Sequence, residues 1–454
     1  MTGIDFEERG FQSYILDMKH WLQTPPVVRE IVYAEPFSLA RRLKGEAALT
    51  LLESVQRHEH LGRYSFLAVN PSHCFVDASL SDIDAYLARH RRAHVAGLPP
   101  FQGGLAGFIS YDFGQRLEPK ARVAQRHPIA PHLVLNAFGT IISFDHLQER
   151  AWIVSDTEQN ADALENLLKR KPALLGSHLV DGFHPNMSRS QYEAAVQRTV
   201  DYILEGDIFQ ANISRCLSAT LPDDFDIYGF YKILRMRNPA TFQALLDYDQ
   251  VKIISSSPER LISFDGKRAE ARPIKGTRRR DGDASKDAML IAELLSSRKD
   301  RAENVMIVDL LRNDLSRVCN PGTVSVPMLC GLESYANVHH LVSVVTGELR
   351  DGLGQVDLLR AVFPGGSITG APKIRAMEII DELEGQARGV YCGGIGYFGY
   401  NGHCDFNIAI RTVQISDGMV RVQGGGGITA RSEPAAEFDE SALKVKRILE
   451  SFAP

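Results

Sequence analysis

Cysteine is scarce in this chain: Cys74, Cys216, Cys319, Cys330, Cys392 and Cys404 are the six among 454 residues. No two of them form a Cys-x-x-Cys pair, so neither a structural zinc site nor a dithiol redox motif is indicated. So few thiols in so long a chain predict reduced, buried cysteines in a cytoplasmic protein, not a disulfide scaffold. Apolar runs long enough to span a bilayer are missing. The opening Met1-Thr2-Gly3-Ile4-Asp5, with Glu7 and Glu8 behind it, lacks the basic and apolar regions of a secretory signal. A surplus of either charge is missing too: 51 Lys and Arg face 56 Asp and Glu, a formal net charge of −5. That balance leaves no electrostatic footprint for nucleic acid, and Arg278-Arg279-Arg280 reads as a solvated turn. Neither a nucleic-acid nor a membrane partner is expected.

What is present is an ordinary globular composition, 44% apolar and 24% charged, in a chain long enough to bury a large core. Two regions are expected, 1–185 and 186–454. The first is rich in short β-like runs, such as Ala48–Leu52, Tyr64–Val69 and Gly139–Phe144, followed by a helical stretch near residue 157. The polar connection Gly176–Ser188, containing Gly182 and Pro185, marks the boundary. Beyond it, Ser190-Gln191-Tyr192-Glu193 has the form of a capping box, and apolar residues recur at helical spacing up to Gly206. Ser285–Leu295 and Lys299–Leu311 are predicted as helices. Ala371-Pro372 opens another, with proline in the first turn, and a last one runs from about Ser432 to Phe452. Strands are expected at Val251–Ile254, Val338–Val345, Gly394–Phe398, Phe406–Val413 and Val420–Gln423, with Asn401-Gly402 as a hairpin turn. Helices and hairpins mixed without βαβ alternation predict an α+β fold with largely antiparallel sheets.

Three patterns fail on their context. Gly394–Gly399 matches G-x-G-x-x-G but leads into a hairpin turn, not a helix. Gly365–Gly370 has the glycine spacing of a phosphate loop, but Ala371-Pro372-Lys373 follows where Lys-Ser/Thr is needed. Cys392 lacks the glycine two residues earlier that a glutaminase nucleophile wants, since position 390 is Val390.

Two acidic pairs, Asp300 with Glu303 and Glu437 with Glu440, are each three residues apart on a predicted helix, and so share a face. If those faces meet, four carboxylates converge and need a hard cation, and oxygen-only ligands suit Mg²⁺. Spacing alone leaves open that both are solvated helix faces. Lys275, in Pro273-Ile274-Lys275-Gly276-Thr277, sits at a strand end, and a lysine enclosed in a pocket can become a nucleophile. Glu259, in Ser257-Pro258-Glu259, could keep its proton if desolvated and act as a general acid.

In order along the chain these segments resemble the chorismate-utilising enzyme family. They include Leu51-Leu52-Glu53-Ser54, Gly206-Asp207-Ile208-Phe209-Gln210, Ser257-Pro258-Glu259 and Pro273–Thr277. Gly62–Phe66, Pro100–Gly104 with Tyr111-Asp112, Lys299–Asn304 continuing to Arg312-Asn313-Asp314, His339-His340-Leu341, Phe363–Lys373 and Gly424–Ile428 complete the set. The resemblance covers nearly the whole chain. It implies two interwoven α/β lobes whose sheets stack as a central sandwich, with helices outside and the active site in a cleft.

The implied substrate is chorismate. Mg²⁺ held by Glu303 and Glu440, with Asp300 and Glu437 in support, would bind its ring carboxylate. Lys275 would attack C2 while Glu259 protonates the departing 4-hydroxyl. By the same resemblance Tyr391 and Arg411 hold the enolpyruvyl carboxylate, assisted by amides near Gly426 and Gly427 at a glycine-rich turn. Thr277 and Ser367 match polar positions of the site, and His340 matches an active-site histidine. Gln210, four residues before Ser214-Arg215, stands where water-adding members carry a lysine, so the chain is similar to the ammonia-using members. Lys275 stands where anthranilate-forming members carry alanine. The implied product is therefore 4-amino-4-deoxychorismate, on the route to p-aminobenzoate and folate, with anthranilate as the alternative. Because no glutaminase motif is present, a separate glutamine amidotransferase subunit is expected to supply the ammonia. Glu53 and Ser54 resemble part of the family's N-terminal tryptophan pocket, with Pro239 in the facing segment. That segment, Asn238-Pro239-Ala240-Thr241-Phe242, departs from the family's Asn-Pro-Ser-Pro-Tyr at Ala240 and Thr241.

Overall fold

A computed structural model describes residues 25–57, 61–335 and 338–454. The N-terminal residues read above for a signal lie outside this range. Among the described residues two large sheets form, and every ladder between their strands is antiparallel. The larger, twelve-stranded sheet runs from Val27–Ile31 at one edge through Leu49–Glu53, Phe242–Asp247 and Lys252–Ser257. It continues through Thr412–Ser416, Met419–Ile428 and Gln210–Thr220 to Gly370–Ala371. The ten-stranded sheet starts at Ile274–Arg279, pairs this with Val338–Glu348, and ends at His73–Val76 beyond Gly394–Gly399 and Gly104–Ile109. Both sheets therefore interleave strands from either side of residue 185.

The sheets face one another. Phe66, Trp152, Ala244 and Ile253 of the larger sheet pack on Phe138, Tyr397, Val134 and Ile395 of the smaller in shared buried clusters. Helices cover the outer faces. Arg298–Ser316 and Gln355–Val362 bury Ile307, Leu311, Leu358 and Val362 against the smaller sheet, and Ile227–Arg237 and Pro434–Glu450 pack on the larger. The α+β class and the sandwich with helices outside are as the sequence implied.

Three local expectations are corrected. The helix expected at Ser190 spans Arg189–Glu205, with Ser188 as N-cap and Gln191 completing the capping box. Glu193 instead pairs with Arg189 one turn back, at 2.7 Å. Pro372 is itself the N-cap of Lys373–Glu384, not a residue of its first turn. The single strand expected at Phe406–Val413 is two: Cys404–Asn407 belongs to the smaller sheet and Thr412–Ser416 to the larger. Residues 408–411 cross between them, with Ile410 N–H bonded to Ile408 O and Arg411 at φ 51°. Phe406, Ile408, Ile410, Thr412 and Val413 all favour strands and no Gly or Pro interrupts them, so nothing local announces the crossing.

Candidate active site

Lys275 lies on the edge strand Ile274–Arg279, whose register against Val338–Glu348 shifts between Ile274 and Thr277. Gly276 fills the shift at φ 86°, and a Cβ there would stand 2.9 Å from both the Asp300 Cβ and the Leu294 Cδ1. Only glycine allows the Arg298–Ser316 helix this close approach. The half-buried Lys275 directs its Nζ at the carbonyl oxygen of Ser367, 3.4 Å away.

Glu259 follows the strand Lys252–Ser257 and is buried, with its Oε1 lacking any hydrogen-bond partner. Burial raises its carboxyl above the usual range, while Lys275, the Ser367 hydroxyl, the Ile274 N–H and Arg411 act in the opposite direction. The net shift is toward holding the proton longer than a solvated carboxyl does, the direction a proton donor requires. Burial brings His340 down to about 4, and the Arg411 charge adds to the effect. A neutral imidazole results, with Nδ1 2.8 Å from Thr277 Oγ1. Arg411, on the crossover between the sheets, makes no hydrogen bond or ion pair with another described side chain. Burial and Arg447 lower its affinity for its proton, and Glu259 raises it. Tyr391 is buried, which pushes its hydroxyl well above the ordinary phenol value.

The two acidic helix faces do meet. Lys299 Nζ lies 4.0 Å from Glu303 Oε1 on its own helix and 3.9 Å from Glu437 Oε1 on the Pro434–Glu450 helix. Glu440 pairs with Lys444 Nζ at 2.8 Å, and Lys444 also donates to Gly425 O. Burial raises the Glu303 carboxyl, Lys275 and Lys299 oppose this, and Asp300 and Glu437 reinforce it. For Glu440 burial acts upward, but Lys444, Lys299 and Lys275 together hold it below the ordinary value. Lys299 bridges the two faces, while Glu440 keeps half of its side chain exposed. The donor set is all oxygen and suits a hard cation, and the buried Glu303 Oε1 has no hydrogen-bond partner. As placed, no group of three acidic, His or Cys side chains among the described residues is disposed to hold a metal. The ammonium groups of Lys299 and Lys444 stand among the carboxylates instead.

Gly424–Gly427 are not a turn. They lie in the strand Met419–Ile428, paired with Gln210–Thr220. Neighbours crowd the strand, most severely at Gly425, where a Cβ would stand 2.2 Å from the backbone oxygen of Ile213. A Cβ on Gly424 would meet Val445 Cγ1 at 2.5 Å, one on Gly426 would meet Glu437 Oε2 at 3.2 Å, and one on Gly427 would meet Gln210 Nε2 at 2.6 Å. Gln210 is fully buried, and neither its Nε2 nor its Oε1 has a partner. Reasoning from sequence did not single out Lys299 or Lys444 as members of this cluster. The i,i+4 spacings of Glu303 from Lys299 and of Lys444 from Glu440 were the available signals.

Glu53 and Ser54 lie elsewhere, on a cavity of about 380 Å³ between the sheets, with Thr241, Phe242, Arg260 and Tyr397 among its walls. The Glu53 carboxylate is taken by Tyr231 Oη at 2.6 Å and by Arg235 at 2.6 and 2.9 Å. Pro239 is not among the residues lining that cavity.

Comparison with known proteins gives the family. Residues 48–450 match the model of the chorismate binding enzyme family. The chain is 41% identical over 350 residues to aminodeoxychorismate synthase component 1 of Escherichia coli strain K12, covering 77% of each chain. It is 38% identical over 427 residues to anthranilate synthase component 1 of Streptomyces coelicolor, covering 88% of this chain and 82% of that one. Among solved structures, anthranilate synthase component I from Streptococcus pneumoniae TIGR4 superposes with a TM-score of 0.76 at 31% identity, covering 87% of this chain and 93% of that one. The menaquinone-specific isochorismate synthase of Escherichia coli shares the fold, with a TM-score of 0.71 at 17% identity over 97% of this chain and 99% of that one. The acid, the lysine and the carboxylate cluster thus stand in a chain that belongs to the chorismate-binding enzyme family.

Proposed function

We propose that this chain aminates chorismate at C4 to give 4-amino-4-deoxychorismate, on the route to p-aminobenzoate and folate. The observation that carries the reading is the placement of Lys275. Its amine is held at Ser367 O and feels Glu259 on one side and Glu303 and Glu440 on the other. The similarity to aminodeoxychorismate synthase component 1 of Escherichia coli and Bacillus subtilis supports it.

In this reading Glu303 and Glu440, with Asp300 and Glu437, would hold Mg²⁺, which would supply Lewis-acid withdrawal of electron density from the ring carboxylate. Arg411 and Tyr391 orient the enolpyruvyl carboxylate, with Gly426 and Gly427 backbone alongside. The Lys275 amine bonds to C2, the ring double bonds shift, and the 4-hydroxyl leaves as water with the proton of Glu259. Ammonia then bonds at C4, the double bonds shift back, and Lys275 departs. The proton shed by the new amine restores Glu259. Thr277 and neutral His340 line the polar wall. Gln210 puts a neutral amide where a base would favour attack by water. The ammonia comes from a separate glutamine amidotransferase subunit, and the residue 1–185 and 186–454 regions act as one catalytic unit. The cavity beside Glu53 and Ser54, walled by Thr241 and Phe242 of the Pro239 segment, is the candidate pocket for a bound structural tryptophan, and the departure at Ala240 and Thr241 argues against a feedback role.

The test is product analysis with chorismate, Mg²⁺ and an ammonium salt. Aminodeoxychorismate should form from the isolated chain. Glutamine should not replace ammonium until a glutaminase subunit is added. Fluorescent anthranilate as the main product would favour the alternative suggested by the anthranilate synthase relatives.

A further inference from the structure

Behind the site lies a buried ion pair that none of the chemistry above uses. Arg388 is 1% exposed, and Glu384, the last residue of the Lys373–Glu384 helix, is 4% exposed. Arg388 Nε and Nη2 reach the two Glu384 oxygens at 2.9 and 2.6 Å. Burying such a pair is costly, and replacing it with apolar residues is often neutral or stabilising, so stability alone is a weak reason for its presence.

Its remaining hydrogen bonds supply a better one. Arg388 Nη1 donates to Ile368 O at 3.0 Å, the carbonyl next to Ser367. Nη2 donates to Asn212 O at 2.6 Å, two residues beyond Gln210 on a strand paired with Gly427. Glu384 Oε1 accepts from the N–H and the hydroxyl of Ser214 at 2.7 and 2.9 Å. The guanidinium lies 4.5 Å from the Tyr111 ring and 5.9 Å from the Tyr391 ring. One planar fork therefore ties together the segments carrying Ser367, Gln210 and Tyr391, and a lysine could not make these bonds at once.

We propose that Arg388, braced by Glu384, is a positioning residue that fixes the Gly366–Ile368 turn and the Tyr391 ring, so that Ser367 meets Lys275 and Glu259. It touches no substrate. This inference rests on the amination reading for its kinetic consequences, but not for its geometric ones.

The test uses Arg388→Lys and Glu384→Gln, with folding checked by circular dichroism and thermal melting. Turnover of chorismate with ammonium should fall about a hundredfold in kcat with KM little changed, because misplacement of about 1 Å costs that much. Independently of any reaction, labelling of Lys275 by trinitrobenzenesulfonate, read by peptide mass spectrometry, should quicken several-fold as Ser367 O releases the amine. If Arg388→Lys does not fold, Glu384→Gln decides alone. Wild-type kcat and wild-type labelling in a folded variant would overturn the proposal. If the wild-type chain forms no aminated product while Lys275 labelling still changes, the amination reading fails and the positioning role stands.

Discussion

The Nζ of Lys275 stands 3.4 Å from the carbonyl oxygen of Ser367, so the amine is fixed by backbone and not by a carboxylate. A carboxylate would hold the lysine as a charged ion pair, whereas a carbonyl orients it without adding a charge.

Lys275→Ala should therefore remove turnover to 4-amino-4-deoxychorismate while leaving the fold intact, since the half-buried side chain has one hydrogen bond to lose. Wild-type enzyme quenched with chorismate and without ammonium should carry a substrate-derived adduct on Lys275, read by denaturing mass spectrometry. Native-rate turnover by the alanine variant to the same product would rule out the covalent route.

Glu303→Gln and Glu440→Gln keep side-chain volume and remove a charge from the cluster around Lys299 and Lys444. Each should move the Mg²⁺ dependence of turnover to higher concentration by tenfold or more, on the order of the loss seen when a metal ligand is weakened. Mg²⁺ titration at fixed chorismate checks this. An unchanged midpoint in both variants would return the cluster to a merely structural role.

The buried Glu259 has a folded-state value above that of an unfolded carboxyl. Any stability it contributes is present below the unfolded value and is lost as pH rises through the folded one. The same deprotonation removes the proton donor, so kcat should fall on the alkaline side. Glu259→Gln should abolish that limb together with most of the activity, while melting at alkaline pH becomes less steep. An unchanged alkaline limb in the variant would assign it to another group.

His340 runs in the opposite direction, its folded value near 4 lying below that of a free imidazole. The unfolded chain then binds the extra proton first, so its contribution is fully present at neutral pH and is lost as pH falls from about 6.5 to about 4. The loss amounts to roughly 3 kcal/mol. His340→Gln should flatten the acid side of the stability profile, as measured by urea denaturation at several pH values.

Gly276→Ala should be costly for two reasons. The residue sits at φ 86°, and its Cβ would meet Asp300 and Leu294 at 2.9 Å. A loss of about 1–3 kcal/mol is expected from the backbone alone. Displacement of Lys275 should lower kcat beyond what the change in melting temperature explains, whereas Gly282→Ala, with open space around it, should do neither.

Much of this protein was determined by short-range features of its sequence. Periodicity placed the Arg298–Ser316 and Pro434–Glu450 helices, and i,i+3 spacing put each acidic pair on one face. The motif around Lys275 and the Ser257-Pro258-Glu259 segment stood out because their residue types are chemically specific. Only the tertiary structure decided that the two acidic faces meet across Lys299, because that contact joins helices more than a hundred residues apart. It also decided that Gly424–Gly427 form a strand, since their ladder partners Asn212–Arg215 lie more than two hundred residues away. The division of Phe406–Val413 between two sheets, and the burial of Arg388 beneath three site-bearing segments, were equally illegible. Local pattern specifies which face a side chain takes, but what that face meets depends on packing between distant segments, which periodicity does not encode.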